Sequence, residues 1–452
     1  MNSTVGRVAH ADEAPFTLEE APPRPLGLYD QAALWGNLGI TLTIPVAAAF
    51  VLRPTQDLPP LTLAAAVTAV LLGTVLGTVV LALSAVPGAQ TGAPAMVLLR
   101  GLLGRRGSFL PTVLNIAQCV GWAAVEVLVI AEGSAKLVPA VPRSLWAVGA
   151  GALATALALW PLGFVRTLRR YAVWLVIAAS VYLFIEVLRH GLSPPAQGSW
   201  RPFWLAVDVV VALPISWAPL AADYSRHSRR SRDAFGGALG GFSLAAIAYF
   251  LLGLLAISAM PQASSDPIGA LLAVPAGALA VAILVLDEVD EAFANLYSTA
   301  LSAQNLRPTL DRRVVALGVG LVATALALAT DMTEYQNFLL LIGSVFVPLF
   351  AVLLVDYFLL RGRVFDVGPL APPRPVMAIP WLVGFAVYQL LNPGTVPGWS
   401  ALWTHAQALL HLSPPPPWLS ASLTSFLVAA LFTLLVAPLE RSKVRRVGRK
   451  RD

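Results

Sequence analysis

Four carboxyl groups lie within five residues of a segment that is otherwise apolar. Asp287, Glu288, Asp290 and Glu291 interrupt the hydrophobic run over 277–304, and no basic residue lies within about four helical turns of them. Ionised carboxylates this close repel one another, and burial disfavours their charge further. The segment therefore either binds a cation or holds protons at neutral pH, and both suit a cation-coupled transporter. The alternative is that this segment is a loop.

A helix through this segment would sort the acids by direction. Asp287, Glu291 and Asn295 share one face at 100° per residue, and Asp290 flanks that face. Glu288 is predicted to point away from it. We therefore expect Asp287, Asp290 and Glu291 to take part in cation coupling.

A second polar stripe occurs in the apolar segment 108–131, where Asn115, Gln118, Trp122 and Glu126 are spaced three or four residues apart. A planar heteroaromatic solute could stack on Trp122 and hydrogen-bond to Gln118. The alternative is that the two amides join neighbouring helices and Trp122 is packing. Glu126 is a further candidate for coupling, because a lone carboxyl group at that depth must be paired or protonated.

The third candidate segment places Ser216 and Trp217 between Pro214 and Pro219. Each proline removes a backbone donor and frees a carbonyl in the preceding turn. Tryptophans on two helices could hold a ring between them, so Ser216 and Trp217 are candidate substrate ligands. The alternative is that Trp217 faces lipid.

Composition indicates what carries these segments. Of the 452 residues, 57% are apolar and only 12% are charged, whereas soluble domains have about 25% charged residues. An all-α integral membrane protein is therefore expected, with about twelve transmembrane helices. The predicted spans are 31–52, 60–86, 108–131, 144–165, 170–188, 203–222, 235–259, 277–304, 313–331, 336–360, 376–392 and 417–438.

The basic residues orient these spans. With the N-terminus inside, 25 of the 30 Lys and Arg residues fall in cytoplasmic tails and loops, as the positive-inside rule requires. A multi-pass protein of the cell membrane with both termini in the cytoplasm is predicted. The same distribution accounts for the basic pI without nucleic-acid binding, since the C-terminal basic residues would face the anionic lipid bilayer.

Prolines and glycines divide the chain further. Gly36, Gly39 and Pro45 interrupt span 1, and Pro214 and Pro219 interrupt span 6. Broken helices five spans apart indicate an inverted five-plus-five repeat with two extra helices. The predicted parts are a cytoplasmic tail, mostly disordered, over 1–30, a first repeat over 31–188 and an inverted second repeat over 203–360. Two further spans follow over 376–438, and a basic cytoplasmic tail covers 439–452.

Several motifs resemble the nucleobase:cation symporter-1 family, in that family's order. They are Gly88-Ala-Gln-Thr-Gly92, Gly107-Ser-Phe-Leu-Pro111, Gly121-Trp122, Ala221-Ala-Asp-Tyr-Ser-Arg226, Tyr297-Ser298 and Val355-Asp-Tyr-Phe-Leu-Leu-Arg361. The resemblance covers roughly residues 30–440, and its nearest branch is the bacterial purine/cytosine permeases. It implies a LeuT-like fold and import of a nucleobase or related ring.

The resemblance also implies residue roles. Trp122 would stack on the ring, the region of Ser216 and Trp217 would contact it, and Asn295 would add a polar contact. A sodium site would join carbonyls of the broken span 1, near Asn37 to Thr41, to span 8, where Asp290 and Glu291 stand in the places of the family's hydroxyl residues. Cys119 stands where the cytosine permeases carry glutamine.

These departures leave the cargo and the cation open. Extra carboxyl groups suit proton coupling or a substrate with a donor-rich amine, such as hydroxymethylpyrimidine. Either H+ or Na+ is expected as the coupling ion, with no other cofactor, because the five histidines fall in tails or loops and no phosphate-binding loop occurs.

We expect a monomer that performs no covalent chemistry. The alternatives are a carrier of an amino acid or other small solute on the same fold and, more remotely, a polytopic membrane enzyme. An enzyme should carry catalytic groups in its interfacial loops, and these loops hold mainly arginine and glycine.

Overall fold

A computed structural model describes residues 15–448 apart from 16, 19, 160, 193–197, 261–262, 264–265, 331–334 and 417. Predicted tail residues 1–14 and 449–452 lie outside the described residues. The described part is helical, and its only β-type pairings are two isolated bridges, Leu26 with Ser228 and Leu61 with Ser199. The all-α prediction is confirmed.

The described residues of the first half form eight helices before the second break. They are α1 (Leu28–Asn37), α2 (Thr43–Leu52), α3 (Leu63–Thr91), α4 (Ala95–Leu103), α5 (Phe109–Leu137), α6 (Arg143–Leu159), α7 (Pro161–Arg189) and α8 (Phe203–Trp217). Spans 1 to 5 correspond to α1 with α2, then α3, α5, α6 and α7.

The second half begins with a 3-10 turn at Ala218–Leu220, after which α9 completes span 6. Its helices are α9 (Ala221–Ser225), α10 (Ser231–Ala259), α11 (Pro267–Leu272), α12 (Gly277–Leu306), α13 (Arg312–Ala329), α14 (Tyr335–Leu354), α15 (Ala378–Leu391), α16 (Trp399–Leu409) and α17 (Ala421–Gly448). A π-helical turn, Val355–Leu360, extends α14, and a 3-10 turn, Pro375–Met377, precedes α15.

Seven helical segments of the described chain are long and apolar enough to cross a membrane. The helix α12 is not among them despite its 30 residues, because its acidic residues exceed what a simple apolar span carries. Both predicted breaks occur, in span 1 between Asn37 and Thr43 and in span 6 after Trp217. The helix pattern is therefore that of an integral membrane protein with about twelve spans.

Small residues let the broken helices approach their neighbours closely. A side chain at Gly237 or Gly241 on α10 would collide with the backbone of α1, and a side chain at Gly77 on α3 would collide with Pro214 on α8. Membrane helices associate through such close packing, because lipid supplies no hydrophobic drive between them. The glycines thus allow α1 to lie close against α10 and α8 close against α3.

Part of the predicted disordered tail is packed instead. Leu26 N donates to His227 O at 3.0 Å, and His227 Nδ1 donates to Pro23 O at 2.8 Å. Burial, aided by the charge of Arg226, lowers the pKa of His227 to about 3, so its ring is neutral. The prediction of disorder was wrong for the segment just before α1, because its backbone finds hydrogen-bond partners on the loop after α9.

Candidate functional site

A small buried cavity lies where both broken helices meet α5 and α12. It measures about 10 Å³, which is room for roughly one water molecule. Its walls combine aromatic, hydroxyl, amide and carboxyl groups: Leu38, Thr41, Thr43, Trp122, Glu126, Leu213, Ser216, Trp217, Glu291 and Asn295. Seven residues predicted from the sequence are among them.

The two predicted tryptophans both face this cavity and are held by other rings. Trp122 lies 5.3 Å from the ring of Phe338, at an interplanar angle of 61°. Gly121 makes this approach possible, because a side chain there would collide with Phe338. Trp217 packs its ring at 89° against Trp35 of α1, with centroids 6.3 Å apart. The alternative of a lipid-facing Trp217 does not hold, since Trp217 is only 7% exposed.

Two neutral polar groups complete the aromatic side of the cavity. Ser216 Oγ donates to Leu213 O at 2.6 Å, within the last turn of α8 before the break. Asn295 Nδ2 donates to Glu291 O, one turn earlier on α12, at 3.0 Å. Each side chain retains an oxygen that can accept a hydrogen bond from a ligand.

Gln118 and Cys119 do not line the cavity. Gln118 Nε2 donates to Ser216 O at 2.9 Å and to Asn115 Oδ1 at 3.2 Å. Asn115 in turn donates to Ser302 Oγ at 3.0 Å, and Cys119 lies buried beside it. The amides thus join α5 to α8 and α12, which is the alternative that the sequence left open.

Three carboxyl groups converge next to the tryptophans. Oxygens of Glu126 on α5 and of Glu288 and Glu291 on α12 all lie within 4.8 Å of one another. We call these three residues the glutamate cluster. All three are buried, and such a group of oxygens could hold a proton or a metal ion.

The prediction that Glu288 points away from the site was wrong. Glu288 Oε2 accepts from Thr41 Oγ1 at 3.0 Å, and Glu288 Oε1 accepts a short hydrogen bond from Leu42 N. The break in span 1 leaves the first N–H groups of α2 without helical partners, and a carboxylate stabilises such an end. Broken span 1 therefore approaches α12 on the side where Glu288 lies, so both sides of α12 face protein.

Asp287 and Asp290 form a second acidic pair. Asn37 Nδ2, at the end of α1, donates to Asp287 Oδ1 at 3.2 Å and to Asp290 Oδ2 at 2.7 Å. Asp290 is therefore not one of the three converging carboxyl groups, although Glu291 is. Asn37, at the end of α1, thus contacts the aspartate pair, whereas Thr41, within the break, contacts Glu288. Both residues were predicted from the sequence.

Among the described residues, no cationic side chain pairs with the glutamate cluster. Ion pairs within the described residues involve other acids, and none includes Glu126, Glu288 or Glu291. Glu126 Oε2 and Glu291 Oε1 are also buried without a hydrogen-bond partner in the described part. Two ionised carboxylates 4.8 Å apart repel by roughly 3 kcal/mol at an effective dielectric constant of about 20. The cluster is therefore suited to take up positive charge.

Sequence reasoning missed two polar residues of this site. Glu288 was assigned to the wrong side of its helix, and Thr43 was not considered, although it lines the cavity and its Oγ1 lies 2.9 Å from Thr41 Oγ1. A sequence signal did exist, because a polar Thr-Leu-Thr follows Gly39 in an otherwise apolar span. Such hydroxyl groups commonly cap the helix that follows a break.

Comparison with known proteins agrees with this architecture. The chain is 27% identical over 351 residues to YxlA of Bacillus subtilis (strain 168), a protein named as a purine-cytosine permease. The matched region covers 73% of this chain and 74% of that relative. It is 28% identical over 361 residues to the cytosine permease of Escherichia coli (strain K12), covering 71% and 82% respectively.

A solved structure gives the same fold. Mhp1, a nucleobase-cation-symport-1 family transporter in a closed conformation with bromovinylhydantoin bound, superposes with a TM-score of 0.72 at 18% identity, covering 96% of both chains. Residues 58–371 match the family described as permease for cytosine/purines, uracil, thiamine, allantoin. These relatives are transporters rather than enzymes, and this chain belongs to that permease family, as a nucleobase:cation symporter of the symporter-1 type.

Proposed function

We propose that the chain imports a flat, nucleobase-like ring that binds between Trp122 and Trp217. Ser216 and Asn295 would hydrogen-bond to its edge, while Gln118 and Cys119 would support the wall behind it. The observation that carries this proposal is the meeting of two tryptophans from different helices with two carboxyl groups in one buried cavity. Aromatic faces give a planar ring a large contact area, and a few polar groups fix its orientation.

The cavity is too small for a ring in this conformation. At about 10 Å³ it holds roughly one water molecule, so binding a ring requires the walls to separate. Thr41 and Trp217 belong to the broken spans, whereas Trp122 and Glu291 belong to continuous helices. Rocking of spans 1, 2, 6 and 7 against the other helices would open the cavity to one side at a time.

We infer that the coupling ion is a proton held by the glutamate cluster. Three buried carboxyl groups that have no cationic partner in the described part of the chain favour uptake of positive charge. Glu126 and Glu291 line the same cavity as the tryptophans. A proton bound there would favour the substrate-occupied state, so a downhill proton gradient would drive uphill uptake. The second candidate is Na+ bound near Asp290 and Glu291 with Asn37 and Thr41, where the carboxyl groups would coordinate the ion.

The charge distribution supports the proposed placement in the cell membrane. Both termini would lie in the cytoplasm, because 25 of the 30 Lys and Arg residues then fall on that side. The two repeats would cover 31–188 and 203–360, and 376–438 would add two further spans. The proposal treats the chain as a monomer, since one chain contains the whole cavity.

Uptake into proteoliposomes tests both parts of the proposal. Radiolabelled cytosine, adenine, hypoxanthine, uracil and hydroxymethylpyrimidine would each be offered under a proton gradient or a sodium gradient imposed separately. We expect one ring to accumulate under the proton gradient, and Glu291→Gln to abolish that accumulation. Asp57→Asn is the matched control, because Asp57 is exposed and its described hydrogen bonds are with the neighbouring Thr55.

The outcomes separate the cargo from the ion. Accumulation under sodium alone would overturn proton coupling and leave the ring assignment intact. No uptake of any of the five rings would refute the cargo proposal. A radiolabelled amino acid added as a sixth solute would then test the remaining carrier function.

A further inference from the structure

A large apolar groove lies outside the cavity, between α1, α7 and α10. It measures about 640 Å³, far more than the substrate cavity. Most of its wall side chains are hydrophobic or very small, among them Leu28, Ala32, Trp174, Val181, Gly240 and Leu244. Trp174 is 61% exposed and Leu244 is 74% exposed, so the groove opens to the outside of the helix bundle.

Glycine creates the width of this groove. A side chain at Gly240 would meet no atom within 4 Å, and one at Gly236 would meet only Leu28, at 3.2 Å. In a membrane-spanning chain such an opening faces hydrocarbon, and lipid tails are as apolar as the groove walls. An acyl chain is the occupant that matches this shape and polarity.

Two arginines lie near the end of the groove where α1 and α10 begin. Arg229 N donates to Leu26 O at 2.8 Å, and its Nη1 would lie 3.9 Å from a Cβ on Gly27, the residue before Leu28. The side chain of Arg232 lies one helical turn before Gly236, on the same side of α10. Its Nε is 3.9 Å from Asp233 Oδ1, and because the side chain is 74% exposed this ion pair is weak. Two guanidinium groups thus lie where α1 and α10 begin.

We propose that this groove binds an anionic membrane phospholipid. One acyl chain would lie along Trp174, Gly240 and Leu244, and the phosphate would contact Arg229 and Arg232. Arginine recognises phosphate through several N–H donors in a fixed plane. The proposal depends on the chain spanning a membrane, but not on the identity of the ring or the coupling ion.

The groove is connected to the transport site through α1. Asn37 lines the groove and also donates to Asp287 and Asp290. Across the groove floor, Tyr249 of α10 and Ser180 of α7 share a hydrogen bond of 2.6 Å. A lipid bound in the groove would contact both α1 and α7. It would thereby restrict the movement of α1, which is part of broken span 1. Lipid composition would then regulate the transport rate.

Lipid retention in native mass spectrometry tests the acyl site. The purified chain would be titrated with dioleoyl phosphatidylglycerol or dioleoyl phosphatidylcholine. We expect one phosphatidylglycerol to be retained about tenfold more tightly than phosphatidylcholine. Gly240→Phe should abolish that preference by filling the groove. Gly149→Phe is the matched control, because Gly149 is also an exposed helical glycine at which a side chain would meet no atom within 4 Å.

A second pair of variants tests the headgroup contact. Arg229→Gln with Arg232→Gln should lower phosphatidylglycerol affinity by about tenfold or more, and Arg106→Gln with Arg307→Gln, two exposed arginines elsewhere, should not. Leu244→Trp fills the same groove from an exposed position if Gly240→Phe does not fold. Equal retention of both lipids by the wild-type chain, or undiminished retention by both filled variants, would overturn the proposal.

Discussion

Buried carboxyl groups in this chain fall into two kinds. Asp208 accepts from Ser420 Oγ at 2.5 Å, Ala421 N at 2.8 Å and Ser422 N at 3.1 Å. Asp356 accepts two hydrogen bonds from Arg374, at 2.6 and 2.8 Å. The glutamate cluster, in contrast, gathers three carboxyl groups with no cationic partner among the described residues.

The difference separates acids that hold a structural partner from the acids to which we assign proton coupling. Asp208 holds the beginning of α17, where a negative charge stabilises the helix end. Asp356 and Arg374 join the end of span 10 to the loop before α15. A buried polar atom without a partner costs stability, so Glu126 and Glu291 are poor candidates for structural groups. Their arrangement is suited to a charge that changes during transport.

The largest expected effect follows from neutralising the cluster. Glu126→Gln should lower gradient-driven uptake by roughly 100-fold, the upper range of coupling energies between sites, because one of the three proton acceptors is lost. The melting temperature should stay unchanged or rise, since repulsion between carboxylates is removed. Uptake and thermal unfolding of the same preparation measure both. Loss of uptake accompanied by a large fall in melting temperature would instead make Glu126 a structural residue.

Breaking the Asp356–Arg374 pair should instead lower the stability and leave the coupling ion unchanged. Asp356→Asn leaves the buried guanidinium of Arg374 without its counter-charge, which costs roughly 3–5 kcal/mol of stability. The melting temperature should fall clearly, while the protein that remains folded should transport with its coupling ion unchanged. Asp366→Asn is the control, because Asp366 is exposed and accepts only from Gly368 N at 2.9 Å. Equal melting temperatures for both variants would contradict the assignment.

Asp208 should give a smaller loss of the same kind. Asn at this position keeps one acceptor oxygen but loses the charge at the end of α17, which costs about 1 kcal/mol. Thermal unfolding of Asp208→Asn beside Asp57→Asn measures the difference. A change in the coupling ion of Asp208→Asn would place this residue with the functional acids instead.

Much of this architecture was predictable from the sequence. Hydropathy and the alternation of basic loops gave the spans, and Gly39 and Pro219 marked the two breaks. Trp122 and Trp217 could be assigned to one site because residue type and depth restrict what a membrane interior tolerates. These signals are local, and each can be read from one segment of the chain.

Contacts between segments were not predictable in the same way. Glu288 was misplaced because helical periodicity orders residues around one helix but does not say which neighbour lies on each side. Leu42 N donates to Glu288 Oε1 because broken span 1 lies against that side of α12. Helical periodicity does not give the position of span 1. Gln118 Nε2 likewise lies 2.9 Å from Ser216 O, a contact between two helices that the spacing along span 3 does not give.

The smallest expected effect comes from an acid at the surface. Asp266 pairs with Lys136, and although partial burial opposes it, this contact and Gly269 N–H hold the pKa of Asp266 below its ordinary value. A lowered carboxyl pKa stabilises the fold at neutral pH, and this contribution is lost as pH falls below about 4. Because the two side chains are 39% and 49% exposed, Lys136→Met should cost less than about 1 kcal/mol. Its melting temperature should lie slightly below that of the wild type at pH 7, and the gap should close in acid. A difference in melting temperature that grows in acid would contradict this ion pair, because Lys136 would then stabilise the fold most when Asp266 is protonated.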